Sequence, residues 1–170
     1  MSSTKAKKHP RAHASMIGDE EKRIIRDFSL GVVASVTADG TPAASPKGTF
    51  LVVDDATIAY GDIRSPGTRR NLQSDDRCEV VFVDPFRRKG VRLRGSAAIH
   101  AQSSERFQDL IGRWRDTWGA LADRISALVI IDVDRVLPLS TPPYDDGATE
   151  EEMIALYRDK YSAIYPATSE

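Results

Sequence analysis

The sequence predicts an α+β protein that is mainly β: six antiparallel strands forming a small barrel, closed or split, with flanking helices. Runs rich in β-branched and aromatic residues recur from Val32 to Val133, and most are joined by short turns. An Asp39-Gly40 pair lies between two of these runs, a strong hairpin signal. Helical periodicity is confined to four stretches, too few to follow every strand with a helix as a doubly wound sheet demands.

Length and composition set the outer limits. A chain of 170 residues with 41% hydrophobic content supports one domain with a real core. The net charge of −1 lacks the positive excess of a general nucleic-acid binder. Between Arg64 and Arg94, however, nine basic residues face four acidic ones, a local surplus that asks for an anionic partner. The single cysteine, Cys78, excludes an internal disulfide and a cysteine-built zinc site, and lone histidines predict no metal. No run approaches the roughly 20 apolar residues of a membrane span, and the N-terminus has no apolar signal core. A cytoplasmic protein that contacts neither membrane nor nucleic acid is the expectation.

In chain order, residues 1–15 are small, polar and basic and read as a disordered arm. Residues 16–139 read as the folded domain, and 140–170 as a proline-rich linker with a C-terminal amphipathic helix packed on the domain or its partner. Asp19 is placed as the cap of a first helix, with Glu20 and Glu21 in its first turn and Ile24, Ile25 and Phe28 on one face. Val32–Thr37 is a strand, Ala38-Asp39-Gly40 a turn, and Thr41–Val53 one long extended run. Pro42 and Pro46 cannot donate ladder bonds, which makes part of that run an edge, a bulge or a ligand-facing kink. Thr57–Tyr60 follows as a strand, and Gly61-Asp62 breaks it. Ser65-Pro66 reads as an N-cap with proline at the first helical position. Unpaired N–H groups there attract an anion, and Ser65, Thr68, Arg69 and Arg70 add hydroxyl and guanidinium donors; an ordinary capped helix with a solvated basic face is the plainer alternative.

Strands at Cys78–Val83 and Val91–Ala101 flank an Asp84-Pro85 turn. Ser103 or Ser104 caps a helix carrying Phe107, Leu110, Ile111, Trp114 and Trp118, residues suited to the core or to a dimer contact. Ala127–Val133 has the pattern of a central strand. Pro138, Pro142 and Pro143 then oppose regular structure until Thr149, where Thr149-Glu150-Glu151-Glu152 is a capping box ahead of Met153, Leu156, Tyr157, Tyr161 and Ile164.

Four motifs follow one another in a telling order: Val33–Pro42, Ser45-Pro46-Lys47-Gly48, Tyr60–Leu72 and Asp84–Gly95. From about Asp19 to Leu137 the chain resembles the pyridoxamine 5′-phosphate oxidase-like proteins, the FMN-binding split-barrel superfamily. The resemblance implies a homodimer of six-stranded split barrels with FMN in clefts at the interface. It implies that Arg69 and Arg70 clamp the phosphate, and that the backbone of Ser45, Pro46, Lys47, Gly48, Tyr60, Gly61 and Asp62 lines the isoalloxazine. Arg88 or Lys89 then approaches the ring, with hydride transfer at flavin N5 to or from a small molecule. No catalytic side chain is assigned, because the cofactor carries that chemistry.

The chain departs from the family pattern twice. The Arg-x-His pair that holds pyridoxamine phosphate is replaced by Asp134-Arg135-Val136-Leu137-Pro138, so vitamin B6 phosphate is not the expected substrate. The strand that usually supplies an early arginine to the phosphate reads Ala43-Ala44-Ser45, which leaves either Lys47 to do that work or the phosphate less tightly held. Related split barrels use deazaflavin or haem, and a binder that does not turn over is the alternative function. A nucleic-acid-binding barrel lacks support, since only Phe82 and Phe86 are aromatic within the basic stretch.

Overall fold

The computed structural model describes residues 16–165, so the expected arm at 1–15 lies outside the described residues. Helix α1 (Asp19–Asp27) comes first, followed by strands β1 (Gly31–Val36), β2 (Pro42–Lys47), β3 (Phe50–Asp54) and β4 (Thr57–Asp62). Helix α2 (Pro66–Ser74) leads to β5 (Arg77–Asp84) and β6 (Lys89–Ala101). Helix α3 (Glu105–Trp118) runs into a 3₁₀ turn (Gly119–Arg124), then β7 (Ala127–Leu139), α4 (Pro142–Asp145) and α5 (Glu150–Ile164).

All pairings are antiparallel, and the strand order is β2-β1-β5-β6-β7-β4-β3. The count is seven strands rather than the six expected, because the run Thr41–Val53 divides at Gly48-Thr49. Its halves take opposite edges: β2 pairs with β1, and β3 pairs with β4. Only Gly48 and Thr49 join them, and three residue steps reach at most about 11 Å. The two edges must therefore converge, which curls the sheet into a barrel split along one seam. Pro42 and Pro46 sit on edge strand β2, where a missing N–H costs no second ladder bond.

One core fills the barrel and is closed below by Ile17, Ile24 and Ile25 around α1. Phe50 stands at the seam, its ring centroid 4.9 Å from Phe82 and 5.1 Å from Tyr60. A second core lies outside the sheet, where Phe107, Leu110, Ile111 and Trp114 of α3 cover Ala59, Leu128 and Ile130. β7 is thus buried on both faces from Ala127 to Ile131, which explains its continuous apolar run. Beyond Asp132 it loses β4 as a neighbour and pairs with β6 alone. That one-sided stretch accepts Pro138, which extends β7 to Leu139 where irregular chain was expected.

Other expectations shift by a residue or a role. Asp19 is the first residue of α1 rather than its cap, Gly18 being the flanking position, and Ser104 is the residue that caps α3. Pro142 and Pro143 start α4, since proline suits a first helical turn. The capping box on α5 forms as read, with Thr149 Oγ accepting from the Glu152 N–H and the Glu152 carboxylate accepting from the Thr149 N–H. Of the expected apolar face of α5 only Met153 is buried, while Leu156 and Ile164 are more than half exposed. No described helix is long and apolar enough to cross a membrane.

Candidate functional site

Two of the stretches singled out by sequence converge on one cavity of about 260 Å³. The link between β2 and β3 supplies Pro46, Lys47, Gly48 and Thr49, and the link between β4 and α2 supplies Gly61, Ile63, Arg64 and Ser65. Arg124, at the end of the 3₁₀ turn, completes the wall. Thr49 fixes the first link: its hydroxyl donates to the Gly61 carbonyl at 2.8 Å and accepts the Gly61 N–H at 3.1 Å, and its carbonyl accepts the Trp114 indole N–H at 2.8 Å. Gly61 has a packing reason, since a Cβ there would sit 2.3 Å from Ile125 Cδ1. Ile125 rests on that glycine and carries its neighbour Arg124 to the cavity.

Lys47 is 8% exposed, and its ammonium donates to Ser45 Oγ at 2.5 Å. Burial holds its pKa below the ordinary lysine value, against the opposing pull of the Asp62 charge. Among the described residues, Lys47, Arg64 and Arg124 form no ion pair with a carboxylate, and no carboxylate lines the cavity. The Ser65 hydroxyl does not cap α2, so it remains available at the cavity wall. Gly48 leaves open space: a Cβ at that position would meet only Leu30 Cδ1, at 4.0 Å.

The other predicted residues are brought to the same region in different roles. Asp62, 1% exposed at the end of β4, accepts Arg69 Nε at 3.0 Å and Nη2 at 2.7 Å, both on Oδ2. Arg69 Nη2 also donates to Ser126 Oγ at 2.8 Å, and Ser126 returns its N–H and hydroxyl to the Asp62 carbonyl, each at 2.9 Å. Asp62, Arg69 and Ser126 therefore lock β4, α2 and β7 together. Asp62 Oδ1 is buried without a partner. Tyr60 turns into the barrel core, where burial raises the pKa of its phenol, and Thr68 is buried on α2. Arg70 is exposed.

Arg88 and Lys89 contribute nothing to this cavity. They belong to the β5–β6 turn, which the C-terminal segment covers. Glu150 takes Lys89 at 2.6 Å and Arg87 at 3.1 Å, and Tyr144 donates its hydroxyl to the Arg87 carbonyl at 2.5 Å. The Arg88 guanidinium lies 4.8 Å from the Tyr157 ring centroid, and Phe86 meets Tyr161 edge-on at 5.5 Å. The C-terminal segment thus docks on the β5–β6 hairpin of its own chain.

A larger cavity, about 480 Å³, lies between α1, β3 and α3 and has Lys22, Arg26 and Arg113 on its rim. These cations are engaged: Lys22 by Asp55 at 2.6 Å, Arg26 by Asp27 at 2.9 Å, and Arg113 by the carbonyls of Val52 and Val53. Sequence reading named none of Thr49, Arg64, Arg124 and Ser126 as candidates. Arg64 stood within the stretch Tyr60–Leu72 singled out there, whereas the other three carry no local signal because tertiary packing delivers them.

The model of the family described as pyridoxamine 5′-phosphate oxidase matches residues 17–138. Among solved structures, HupZ of Group A Streptococcus is 30% identical, covers 74% of this chain and 96% of its own, and superposes with a TM-score of 0.64. An FMN-binding protein from Syntrophomonas wolfei is 16% identical over 72% of this chain and 86% of its own, with a TM-score of 0.60. HutZ, the haem storage protein from Vibrio cholerae, is also 16% identical, over 72% and 94%, with a TM-score of 0.58. The last two likenesses are of fold. Among curated proteins none matches the chain. The family match spans the whole barrel from Ile17 to Pro138 and includes both stretches that build the cavity, and on that ground the chain belongs to the pyridoxamine 5′-phosphate oxidase family.

Proposed function

We propose that this chain binds FMN in the cavity between the β2–β3 and β4–α2 links and, with it, transfers hydride to or from a small molecule. One observation carries the reading: three cations without carboxylate partners, one of them buried, surround a cavity whose walls include open backbone at Gly48. Such a donor set fits a phosphate next to a flat ring. The FMN-binding protein of the same fold supports it. Lys47, Arg64, Ser65 and Arg124 surround the anion, while the Pro46–Gly48 backbone and Gly61 present their edges to the ring. A bound flavin supplies the two-electron chemistry at N5. The protein orients it, and the Asp62–Arg69–Ser126 lock keeps the two walls in register.

The cavity of about 260 Å³ is below the roughly 300–1,000 Å³ of a pocket that encloses its ligand. A homodimer with clefts shared between copies completes it. The face that suits this is the outer side of β1 and β5, where Val32 and Val83 are 40% and 45% exposed beside Ala34 and Val81. The strand Ala127–Val133 and Trp114 pack within the chain's own cores.

Haem is the weaker reading. An axial ligand is required, and among the described residues the one histidine is His100, paired in β6 opposite Leu128 and lining no cavity described above. The visible spectrum of the purified protein, before and after adding FMN, tests the proposal. A flavin band that stays with the protein through gel filtration, and is bleached by an added reductant, is expected. A Soret band, a deazaflavin spectrum or a colourless protein that releases FMN overturns it.

A further inference from the structure

The larger cavity is not the one that fits the flavin. Its volume of about 480 Å³ lies inside the roughly 300–1,000 Å³ of a pocket that encloses a small molecule, and it shares no lining residue with the cavity between the β2–β3 and β4–α2 links. Much of its wall is apolar: Phe50, Leu51 and Val52 come from β3 and the half-buried Trp118 from the last turn of α3, and no carboxylate lines it. The cations on its rim differ in how they are compensated. Lys22 and Arg26 each hold a carboxylate, whereas Arg113 makes no ion pair among the described residues. The β3–β4 register shifts between Val52 and Asp54, and there the Arg113 guanidinium donates Nη2 to the Val52 carbonyl at 2.6 Å and Nη1 to the Val53 carbonyl at 3.1 Å. Carbonyls fix a guanidinium in place without neutralising it. An arginine carries about five N–H donors in a planar fork, so these two bonds leave part of the fork unspent. One turn on, the Thr117 hydroxyl donates to the Arg113 carbonyl at 2.9 Å and keeps its lone pairs as acceptors.

We infer that this cavity is a second ligand site and that it takes a small organic acid, with an aromatic or branched apolar body against Trp118 and the β3 residues and one carboxylate on Arg113. One fixed, uncompensated positive charge beside apolar walls matches one negative charge on an apolar body. A neutral apolar molecule covers the guanidinium and gives it no partner, which costs desolvation without return. A polyanion meets a single uncompensated cation and brings its other charges against apolar walls. The inference does not depend on the flavin reading. The two cavities are neighbours all the same, since Phe50 follows directly on Thr49 and the Ser29 hydroxyl donates to the Gly48 carbonyl at 3.4 Å. Binding in one must therefore be tested against binding in the other.

The experiment titrates the isotope-labelled protein with hydrocinnamate and with its uncharged amide, and follows the indole N–H signals of both tryptophans by NMR. Trp118 borders the cavity, whereas Trp114 is buried with its indole N–H on the Thr49 carbonyl, so the pair separates local binding from a general change. The expected result is a saturable shift of the Trp118 signal with hydrocinnamate. Affinity should be about tenfold or more weaker for the amide, with a similar loss for the acid in Arg113→Gln. Thermal melts establish that Arg113→Gln is folded. Thr117→Phe, at an exposed position of α3, fills the cavity from its rim and should abolish the shift by itself. No saturable shift in the wild type overturns the inference, as do equal affinities for acid and amide, unchanged acid affinity in a folded Arg113→Gln, or full binding by Thr117→Phe. Saturating FMN should leave the acid bound; displacement shows one site rather than two and also overturns it. A wild type that binds no FMN removes the flavin reading and leaves this titration standing.

Discussion

Two groups of cations, Arg87, Arg88 and Lys89 at the β5–β6 turn and Lys47, Arg64 and Arg124 at the cavity, have opposite arrangements in the structure. At the β5–β6 turn the cations are answered from within the chain: Glu150 neutralises Arg87 and Lys89, and aromatic rings cover Arg88 and Lys89. At the cavity, Lys47, Arg64 and Arg124 are left without a carboxylate, while the one acidic group nearby is spent on Arg69. A surplus of charge along the chain is therefore no guide to where an anion binds. What counts is which cations the fold leaves uncompensated.

The largest expected effect lies in the brace at the cavity end. Arg69→Ala removes the ion-pair partner of a carboxylate that is 1% exposed, and breaking a buried pair from one side costs about 3–5 kcal/mol. The Arg69 side chain is one-third exposed, which puts the expected loss near the lower end, at about 3 kcal/mol. Urea unfolding measures it. A loss below about 1 kcal/mol would show that Asp62 is solvated and that Arg69 is no brace. Asp62→Asn added to Arg69→Ala should recover part of the stability, since the stranded charge is then gone.

The proposed dimer can be tested at the cavity, whose volume of about 260 Å³ is below the roughly 300–1,000 Å³ of an enclosing pocket. Val32→Asp places a charge on the outer face of β1 without touching either core. Sedimentation should change from a dimer to an 18.7 kDa monomer, and flavin affinity should fall with it by about tenfold or more. A monomeric wild type, or a dimer that survives Val32→Asp with full flavin binding, would remove the shared cleft from the account.

Which features could be read in the sequence follows from the same contrast between local and distant causes. The Asp39-Gly40 turn, with Gly40 at φ 87°, the start of α2 at Ser65-Pro66, and the Thr149–Glu152 capping box are written in adjacent residues. The stretches Pro46–Gly48 and Gly61–Ser65, which line one cavity, stand out in the sequence for the same reason. The division of Thr41–Val53 was not, because a continuous β-rich run gives no sign that its halves join opposite edges of one sheet. The Asp62–Arg69 pair crosses a strand-to-helix turn, and the partner of Lys89 lies 61 positions away. The place of Arg124 depends on Ile125 meeting Gly61, a contact that no spacing rule encodes.

Lys47 gives the comparison a pH axis. Its pKa is held below the ordinary lysine value, near 10.4, chiefly by burial. As pH rises through the folded-state pKa the ammonium is lost, and FMN affinity should fall several-fold before an exposed lysine would titrate, with riboflavin affinity level. Stability moves the other way. Between the folded and unfolded pKa values the unfolded chain binds more protons, so the free energy of unfolding contributed by Lys47 rises with pH over that window. Titrating FMN across pH 7–11 for the wild type and Lys47→Met checks the assignment, because the variant should show a weaker, flatter profile; identical profiles would take Lys47 out of the site.

The smallest effect is expected at the hairpin end. Glu150 is 37% exposed at its side chain, and its partners Arg87 and Lys89 are 28% and 32% exposed, so solvent screens both pairs. Exposed pairs contribute about 0.2–1 kcal/mol each. The turn has other holds, from the Tyr144 hydroxyl on the Arg87 carbonyl and from Tyr157 and Tyr161 on Arg88 and Phe86. Glu150→Gln should therefore lower stability by about 1 kcal/mol or less and leave the ratio of FMN to riboflavin affinity unchanged. The sharper outcome concerns binding. If freeing Arg87 and Lys89 raises FMN affinity while Arg124→Gln leaves it untouched, the anion is held at the hairpin, and the division between a compensated and an uncompensated end is reversed.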